Sequence, residues 1–412
     1  MNDPNPYTSP ELEASIKPTS PIARLANPWI VLALLAGTHF LVDIVAGTTT
    51  PIWPSLEHNL SLKTGGLLWV YVCWSIATSF GQLFFGIWAD RRPCRWLIWA
   101  GPLLAILCLS CVGLADSSLS LAALFFVGGL GIAAFHPEAA ATAGALAPEQ
   151  RSRAMAIFAL CGYLGQSAGP LYSGMITDHL QLRGLVWGIA WGLPILFLLW
   201  IGLRRVPAPA TSEQQAAPGE TTAKVPVRTL VLLLAVGASR IVPALGVPLA
   251  LAYLLKATSS SNAVIGAVQS AFMAGIGIGA MFCAAFLKPK WERRALWVFP
   301  LLAAPLLAIM IVASGWTLVV LVGTCGLLLG VTMPVYISYG QQLLPHGQRV
   351  ASSITMGVSW GIASGLVAVA MWIFNSFDAL SSIFGFFAAA SLASSLLSRL
   401  LPVAVDTGDR NH

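Results

Sequence analysis

Ionisable side chains inside long apolar stretches are the residues of this sequence that could do chemistry. Only 9% of the 412 residues are charged, and 57% are hydrophobic. Against that background, His39 and Asp43 interrupt the first apolar stretch, His136 and Glu138 flank a proline in the fourth, and Arg240 interrupts the seventh. An ionisable group in hydrocarbon is costly unless it is paired or solvated, so these positions indicate a binding or proton site.

Spacing places these groups at similar depths. His39 and Asp43 are four residues apart and share one face of a helix. At 1.5 Å per residue they lie roughly 15 and 21 Å from Trp29, and Arg240 lies about 18 Å from Arg228. A span crosses about 30 Å of hydrocarbon, so all three groups fall near the middle of the membrane.

Two interpretations of these groups remain open. In the functional one, Arg240 and His39 contact an anionic or polar substrate group, while Asp43, Glu138 or His136 exchanges a proton. Burial and a nearby cation act oppositely on the proton affinity of a carboxylate, so alternating surroundings would couple protons to substrate. In the structural one, Asp43 and Arg240 form an ion pair, His39 bonds a backbone carbonyl, and His136 and Glu138 belong to a solvated helix end.

The elements that position these groups are predicted membrane spans. The mean hydropathy is +0.79, and apolar stretches of spanning length recur along the chain, which excludes an ordinary soluble α/β protein. Short alternating segments typical of a β-barrel are absent from the sequence. The predicted spans are 29–57, 65–88, 96–114, 118–144, 152–178, 184–204, 228–255, 262–287, 294–313, 316–343, 349–376 and 379–402.

Composition divides the chain further. Residues 1–27 are predicted to be a polar cytoplasmic tail without a signal-peptide layout, and 205–227 a flexible cytoplasmic linker rich in Pro and Thr. Six-helix bundles are predicted at 28–204 and 228–404, and a cytoplasmic tail at 405–412.

Basic residues predict the orientation. With a cytoplasmic N-terminus, the exceptions among 22 Lys and Arg residues are Lys63, Arg183 and Lys256 on the opposite side and Arg240 inside a span. This distribution predicts that both termini are cytoplasmic, in a bacterial inner membrane. The net charge of +6 therefore reflects topology, and no separate basic–aromatic patch indicates nucleic-acid binding.

The two halves resemble each other in sequence. Pro137 and Pro334 match at an offset of 197 residues, whereas Gly37 and Gly237 match at 200. The larger offset places Arg240 opposite Phe40. Such a repeat is typical of transporters that bind their substrate between two bundles near mid-membrane.

The loop after the second span, GIWADRRPCR at 86–95, resembles the cytoplasmic loop signature of the major facilitator superfamily. Gly86, Ala89, Asp90, Arg91 and Arg95 match it. A small Gly86 permits close helix approach, and Asp90 can pair with arginines or a helix N-terminus to close one side of the molecule. An ordinary basic loop with one stray acid is the alternative. The gating residues predicted from this loop are Gly86, Asp90, Arg91 and Arg95.

The fifth span contains GQSAGPLYSG, 165–174, which resembles the antiporter signature of the same superfamily through Gly165, Gly169, Pro170 and Gly174. Small residues four apart make a close-packing face, and the proline adds a bend, so these residues are also predicted to take part in gating. Ordinary small-residue packing is the alternative. The motif favours export by exchange.

Several stretches together are similar to the fosmidomycin-resistance branch of this superfamily. They are THFLVD (38–43), AAFHPEAAATA (133–143), SR (239–240) and YGQQLLPHGQRVASS (339–353). The resemblance implies a substrate site between the bundles at the first, fourth, seventh and tenth spans, with Tyr339 and Gln341 as polar lining. It also implies export of a drug or antibiotic.

The sequence therefore predicts an all-α membrane protein of twelve spans in two pseudo-symmetric bundles. It is expected to exchange protons for a small polar or amphiphilic organic compound by alternating access, as a monomer. Proton-coupled uptake of a small organic anion and a sensor that transports nothing are the alternatives. No P-loop, Gly-x-Ser-x-Gly or HExxH motif is present, so we expect no enzyme activity, cofactor or metal.

Overall fold

The structure is a computed structural model that describes residues 27–92, 94–147, 150–204, 227–343 and 353–402. Twelve helical segments in this part are long and apolar enough to cross a membrane, which confirms the predicted spans. The long helices are α1 Pro28–Gly47, α2 Leu68–Arg91, α3 Leu97–Ser110, α4 Ser118–Leu146, α5 Arg151–Leu180, α6 Trp187–Leu203, α7 Val227–Ala257, α8 Asn262–Phe286, α9 Pro289–Ile309, α10 Gly315–Leu343, α11 Ser359–Ser376 and α12 Ile383–Ser398. A π-helical turn, Ser353–Val358, precedes α11.

The first predicted span is not one continuous helix. α1 ends at Gly47, a 3₁₀ turn follows at Thr50–Ile52, and a short helix occupies Trp53–Asn59. Pro51 and the following Pro54 lack a backbone N–H and clash with the preceding turn, so the helix cannot continue through them. The short helix places Glu57 at the end of the bundle.

The helices pack in the same pairwise pattern in two sets of six. α1 packs on α5, α2 on α4 and α3 on α6, while α7 packs on α11, α8 on α10 and α9 on α12. Between the long helices, the most extensive contacts that join the sets are α5 with α8 and α2 with α11, and the 3₁₀ turn and short helix after α1 also contact α7. The two contacts between long helices are equivalent under the repeat, because α2 corresponds to α8 and α5 to α11.

The two faces of the molecule follow from the topology. The terminal face is where α1 begins and α12 ends, and the distal face is the opposite one. The predicted tails, 1–27 and 405–412, and the predicted linker, 205–227, lie outside the described residues except for Asn27 and Val227. So do the side chain of Asp90 and the Leu-Pro of the tenth-span motif at 344–345.

Interior prolines show the repeat directly. Pro137 of α4 and Pro334 of α10 occupy the same position in helices of 29 residues each. In a membrane bundle, neighbouring helices compensate for the hydrogen bond that a proline removes. Pro137 is therefore part of the repeated architecture, as its counterpart at Pro334 shows.

Candidate functional site

Asp43 of α1 is the centre of a buried polar cluster. Its Oδ2 lies 3.3 Å from Nε2 of His39, and its Oδ1 lies 3.5 Å from Nε2 of His136 in α4. The side-chain amide of Gln166 in α5 donates a hydrogen bond of 3.3 Å to Oδ2. We call His39, Asp43, His136 and Gln166 the Asp43 cluster.

Backbone contacts fix the tautomer of both imidazoles. Nδ1 of His39 lies 2.8 Å from the carbonyl oxygen of Phe158, and Nδ1 of His136 lies 2.8 Å from that of Ile132. A carbonyl oxygen can only accept, so each Nδ1 must carry the hydrogen. Each Nε2 then faces the Asp43 carboxylate with either a lone pair or a second proton.

The Asp43 cluster is buried, so the charges on its side chains are poorly screened by water. Asp43 is 3% exposed and His39 is 7% exposed. The His39 ring stacks on Phe158 with centroids 4.1 Å apart, and the edge of His136 meets it at 5.0 Å. The two imidazole rings are therefore held in place by packing.

Glycines of α5 allow the cluster to form. A Cβ on Gly162 would overlap Cε1 of His39 and lie 2.9 Å from Oδ2 of Asp43. A Cβ on Gly165 would lie 2.5 Å from the Phe40 carbonyl oxygen. α5 therefore approaches α1 at backbone distance, and this approach sets the position of Asp43.

Arg240 of α7 forms a second buried site with different chemistry. It is 2% exposed, its Nη1 donates to the Met333 sulfur at 2.7 Å, and its guanidinium lies 4.7 Å from the centroid of the Tyr336 ring. The Tyr336 hydroxyl donates to the Leu233 carbonyl and also meets Ser359 at 3.0 Å. Within the described residues, Nε of Arg240 has no hydrogen-bond partner.

The two sites are equivalent positions of the repeat. Arg240 contacts Met333, 93 residues further along, and Asp43 contacts His136 at the same separation. The alignment that placed Arg240 opposite Phe40 is therefore off by about one turn, and the contacts place Arg240 opposite Asp43.

The structural ion pair considered for Asp43 and Arg240 does not form in the part of the chain that the structure describes. The ion pairs of Asp43 there are with the two histidines. Tyr163 of α5 lies within electrostatic range of both Asp43 and Arg240, and its Cβ packs against Gly277 of α8. The two charged sites thus face a shared region between the bundles.

His136 and Glu138 point to different surroundings. Two residues along a helix turn a side chain through about 200°, so they do not face each other. His136 faces Asp43, whereas Glu138 is buried within electrostatic range of Cys94 in the connection between α2 and α3. The residues on either side of Pro137 therefore belong to two different sites.

Tyr339 and Gln341, expected to line the substrate path, lie toward the terminal face. The Tyr339 hydroxyl donates to the carbonyl of Pro402 beyond α12, within the second bundle. Gln341 is half-buried one turn from the end of α10. The tyrosine beside Arg240 is Tyr336, one turn earlier.

The predicted gating residues fall into two groups. In the α2–α3 connection, Gly86 is buried, Arg91 is exposed, and Arg95 donates to the Leu203 carbonyl at the end of α6. Burial lowers the pKa of the Arg95 guanidinium. The backbone of Asp90 belongs to the last turn of α2.

The glycines of the α5 motif pack on two different helices. Gly165 and Gly169 pack against the α1 backbone, and a Cβ on Gly174 would overlap the Asn262 carbonyl oxygen of α8. A Cβ on Gly266 of α8 would overlap the Pro170 carbonyl oxygen. α5 therefore packs closely against α1 in its own bundle and against α8 in the other bundle.

A small cation could bind in the Asp43 cluster. One ligand atom from each of His39, Asp43 and His136 lies within 4.8 Å of the others, near enough to share a proton or another cation. The carbonyl-bound Nδ1 atoms leave both Nε2 atoms available for it.

Sequence reasoning missed Gln166, Gly162, Tyr163, Met333 and Tyr336. A signal existed for the first two, since they share one face of α5 with Gly165 and Gly169 at helical spacing. Met333 and Tyr336 carry no such signal, because a thioether and a tyrosine in an apolar helix look like ordinary packing residues.

Comparison with known proteins agrees with this architecture. A sequence model of the Major Facilitator Superfamily matches residues 35–368. The chain is 26% identical over 348 residues to the uncharacterized MFS-type transporter YfnC of Bacillus subtilis (strain 168), covering 82% of this chain and 85% of that one. It is 23% identical over 342 residues to the fosmidomycin resistance protein of Escherichia coli (strain K12), covering 81% and 83%.

Solved structures show the same fold. The crystal structure of a nucleoside transporter, NupG, superposes with a TM-score of 0.67 at 14% sequence identity, covering 90% of this chain and 99% of that chain. The predicted fold of two six-helix bundles is confirmed.

Proposed function

Because the chain belongs to the major facilitator superfamily of membrane transporters, we propose that it is a proton-coupled antiporter. It exports a small polar or amphiphilic organic compound that carries an acidic group, by alternating access of a site between the bundles. It lies in the inner membrane with both termini in the cytoplasm, and it works as a monomer. The proton binds in the Asp43 cluster, and the acidic group binds Arg240.

One observation carries the proton assignment: both imidazole Nε2 atoms face the Asp43 carboxylate while both Nδ1 atoms donate to carbonyls. A bare Nε2 lone pair beside a carboxylate oxygen is repulsive, so each of the two contacts requires a proton to become a hydrogen bond. The cluster can thus bind protons that a change in its surroundings would release. Glu138 is the second proton candidate.

The surroundings of Arg240 support the proposal that the substrate carries an acidic group. A buried guanidinium is costly unless an anion accompanies it, and the described residues supply only a thioether and an aromatic ring. Planar carboxylate or phosphonate groups match the fork of N–H donors, of which Nε is unused. We assign this place to the substrate.

Two observations support export. The α5 segment 165–174 resembles the antiporter signature, and its glycines pack α5 against both α1 and α8. The name of one relative, a fosmidomycin resistance protein, describes a resistance function that export would provide.

Electrostatics favour the second candidate, uptake of an organic anion together with protons. Protons added to the Asp43 cluster make the shared region more positive, which strengthens anion binding at Arg240. Antiport requires the opposite, that substrate and proton exclude each other. This requirement makes the sign of the coupling the quantity to measure.

Everted vesicles decide between these functions. The vesicles are acidified inside, and phosphonates and carboxylate-bearing antimicrobials are added outside. Under antiport, an added substrate dissipates the pH gradient. Under symport, only substrate loaded inside the vesicles dissipates it. If no compound on either side has an effect, while control vesicles with a known antiporter respond, coupled transport is wrong and a sensor role gains support.

A further inference from the structure

Asp178, at the distal end of α5, binds the N-terminus of α8 in the other bundle. Its Oδ1 accepts the backbone N–H of Asn262 and its Oδ2 accepts that of Ala263, both at 2.9 Å. The first N–H groups of a helix have no partner within the helix and carry its positive partial charge. Asp178 therefore joins the two bundles through a charged, two-point contact.

Asn262 extends this contact to both bundles. Its side-chain oxygen accepts hydrogen bonds from Ser55 of the first bundle at 3.1 Å and from Lys256 of the second at 3.0 Å. Lys256 also lies within electrostatic range of Asp178. Lys256, which the distribution of basic residues predicts on the side opposite the cytoplasm, is therefore part of the contact between the bundles.

Two more contacts join the bundles at the same face. Glu57 of the short helix after α1 accepts a hydrogen bond from Tyr253 of α7, and it also accepts the backbone N–H groups of Gly65 and Leu67. The side chain of Asn375 at the end of α11 donates to the Thr64 carbonyl at 3.0 Å. All of these partners lie on the distal face.

We infer that Asp178 closes a distal gate, which consists of Asp178, Asn262, Lys256, Glu57, Tyr253 and Asn375. This inference rests on the alternating-access cycle proposed above, because a site between the bundles can open to the distal side only if these contacts break. The bond from Asp178 to α8 stabilises the distal-closed state. The gating residues predicted from sequence lie in the terminal loop or along α5, so this gate is an addition to them.

The test compares Asp178→Ala and Asp178→Asn with a matched control, Asp116→Ala. Asp116 is an exposed acid on the same face, but its carboxylate accepts from Ser117 and Ser120 within the first bundle. Spin labels at Leu119 and Trp316, exposed positions at the starts of α4 and α10, report the distance between the bundles. The labels are placed in a full-length chain whose seven cysteines are replaced, reconstituted in nanodiscs.

We expect Asp178→Ala to raise the ratio of long to short distal distances about two- to thirtyfold, the range for loss of a helix cap. Asp178→Asn should fall between it and the unsubstituted chain, because one amide oxygen can still accept. Asp116→Ala should leave the distribution unchanged. High salt should shift the unsubstituted chain, but not Asp178→Ala, toward the long distance.

Two results would overturn the gate. One is an unchanged distance distribution in an Asp178→Ala chain that elutes as a single species with full helix content. The other is an equal shift in Asp116→Ala. If Asp178→Ala does not fold, the gate is tested by the other two measurements. These are the salt-induced distance shift in the unsubstituted chain and the distance distribution of Asp178→Asn. The distance measurement needs no substrate. The gate can therefore be wrong while coupled transport is correct, and coupled transport can be wrong while the gate is correct.

Discussion

Asp43 and Arg240 occupy equivalent positions of the two bundles and carry opposite charges. Each contacts the residue 93 positions further along in the equivalent helix, His136 for Asp43 and Met333 for Arg240. The repeat thus keeps the geometry of both contacts but changes their chemistry. One half presents a carboxylate between two imidazoles, and the other half presents a cation with an unused N–H.

Replacing Arg240 by Met should weaken binding of the acidic group and leave the fold intact. A hydrogen-bonded charge contributes about 10- to 150-fold in affinity, and a buried cation can be exchanged for an apolar residue at little cost in stability. Arg240→Lys should lose most of the affinity too, because an ammonium lacks the planar fork. Substrate-dependent tryptophan quenching measures this in detergent. Arg228→Gln, an exposed change in the same helix, should behave like the unsubstituted chain.

Gly162→Ala should disturb the Asp43 cluster without breaking α5. The added methyl would overlap the His39 ring, and repacking costs about 1–3 kcal/mol. We expect slower coupled transport and a lower unfolding temperature. Gly365→Ala is the control, since an added Cβ there meets nothing within 4 Å. Equal loss of transport in both variants would show that the effect is not local to the cluster.

His136→Gln should reduce the number of protons exchanged. An amide can donate to Asp43 but cannot take up a proton, so one of the two N···O contacts no longer titrates. The ratio of protons to substrate, measured in weakly buffered proteoliposomes, should fall, and the rate should vary less steeply with pH. His179→Gln, at the exposed distal end of α5, should keep the original ratio. An unchanged ratio in the His136 variant would remove this residue from the proton site.

Tyr339→Phe should alter stability and not substrate affinity. Its hydroxyl binds the Pro402 carbonyl, so its loss should cost about 1 kcal/mol. Thermal unfolding followed by circular dichroism measures the first effect, and quenching titration measures the second. A large change in affinity with unchanged stability would return Tyr339 to the substrate path.

The sequence predicts the fold well because membrane spans leave a strong hydropathy signal, and interior charges stand out against it. Asp43, His39, His136 and Arg240 are found this way. What the sequence does not contain is the direction in which each group points. His136 and Glu138 look like a pair in the chain, yet the helix turns them to different neighbours.

Partners from distant helices are also hidden from the sequence. Gln166 resembles any polar residue of a span, and Asp178 resembles an acid at a helix end. Their importance comes from the approach of α5 to α1 and to α8, which depends on glycines whose close contacts only the structure shows. Pro51 and Pro54 indicate the break after α1 in the sequence, but the apolar stretch around them is long enough to predict one continuous span.

The central claim is that the Asp43 cluster exchanges the coupled proton, and Asp43→Asn, which removes the carboxylate that both imidazoles face, tests it most directly. Proteoliposomes are assayed for transport driven by a pH gradient and for exchange of labelled against unlabelled substrate, using a compound that responds in the everted-vesicle screen. We expect gradient-driven transport to be lost while exchange continues, because exchange needs no net proton movement. Glu138→Gln should keep gradient-driven transport. Gradient-driven transport retained in Asp43→Asn, or lost only in Glu138→Gln, would contradict the claim.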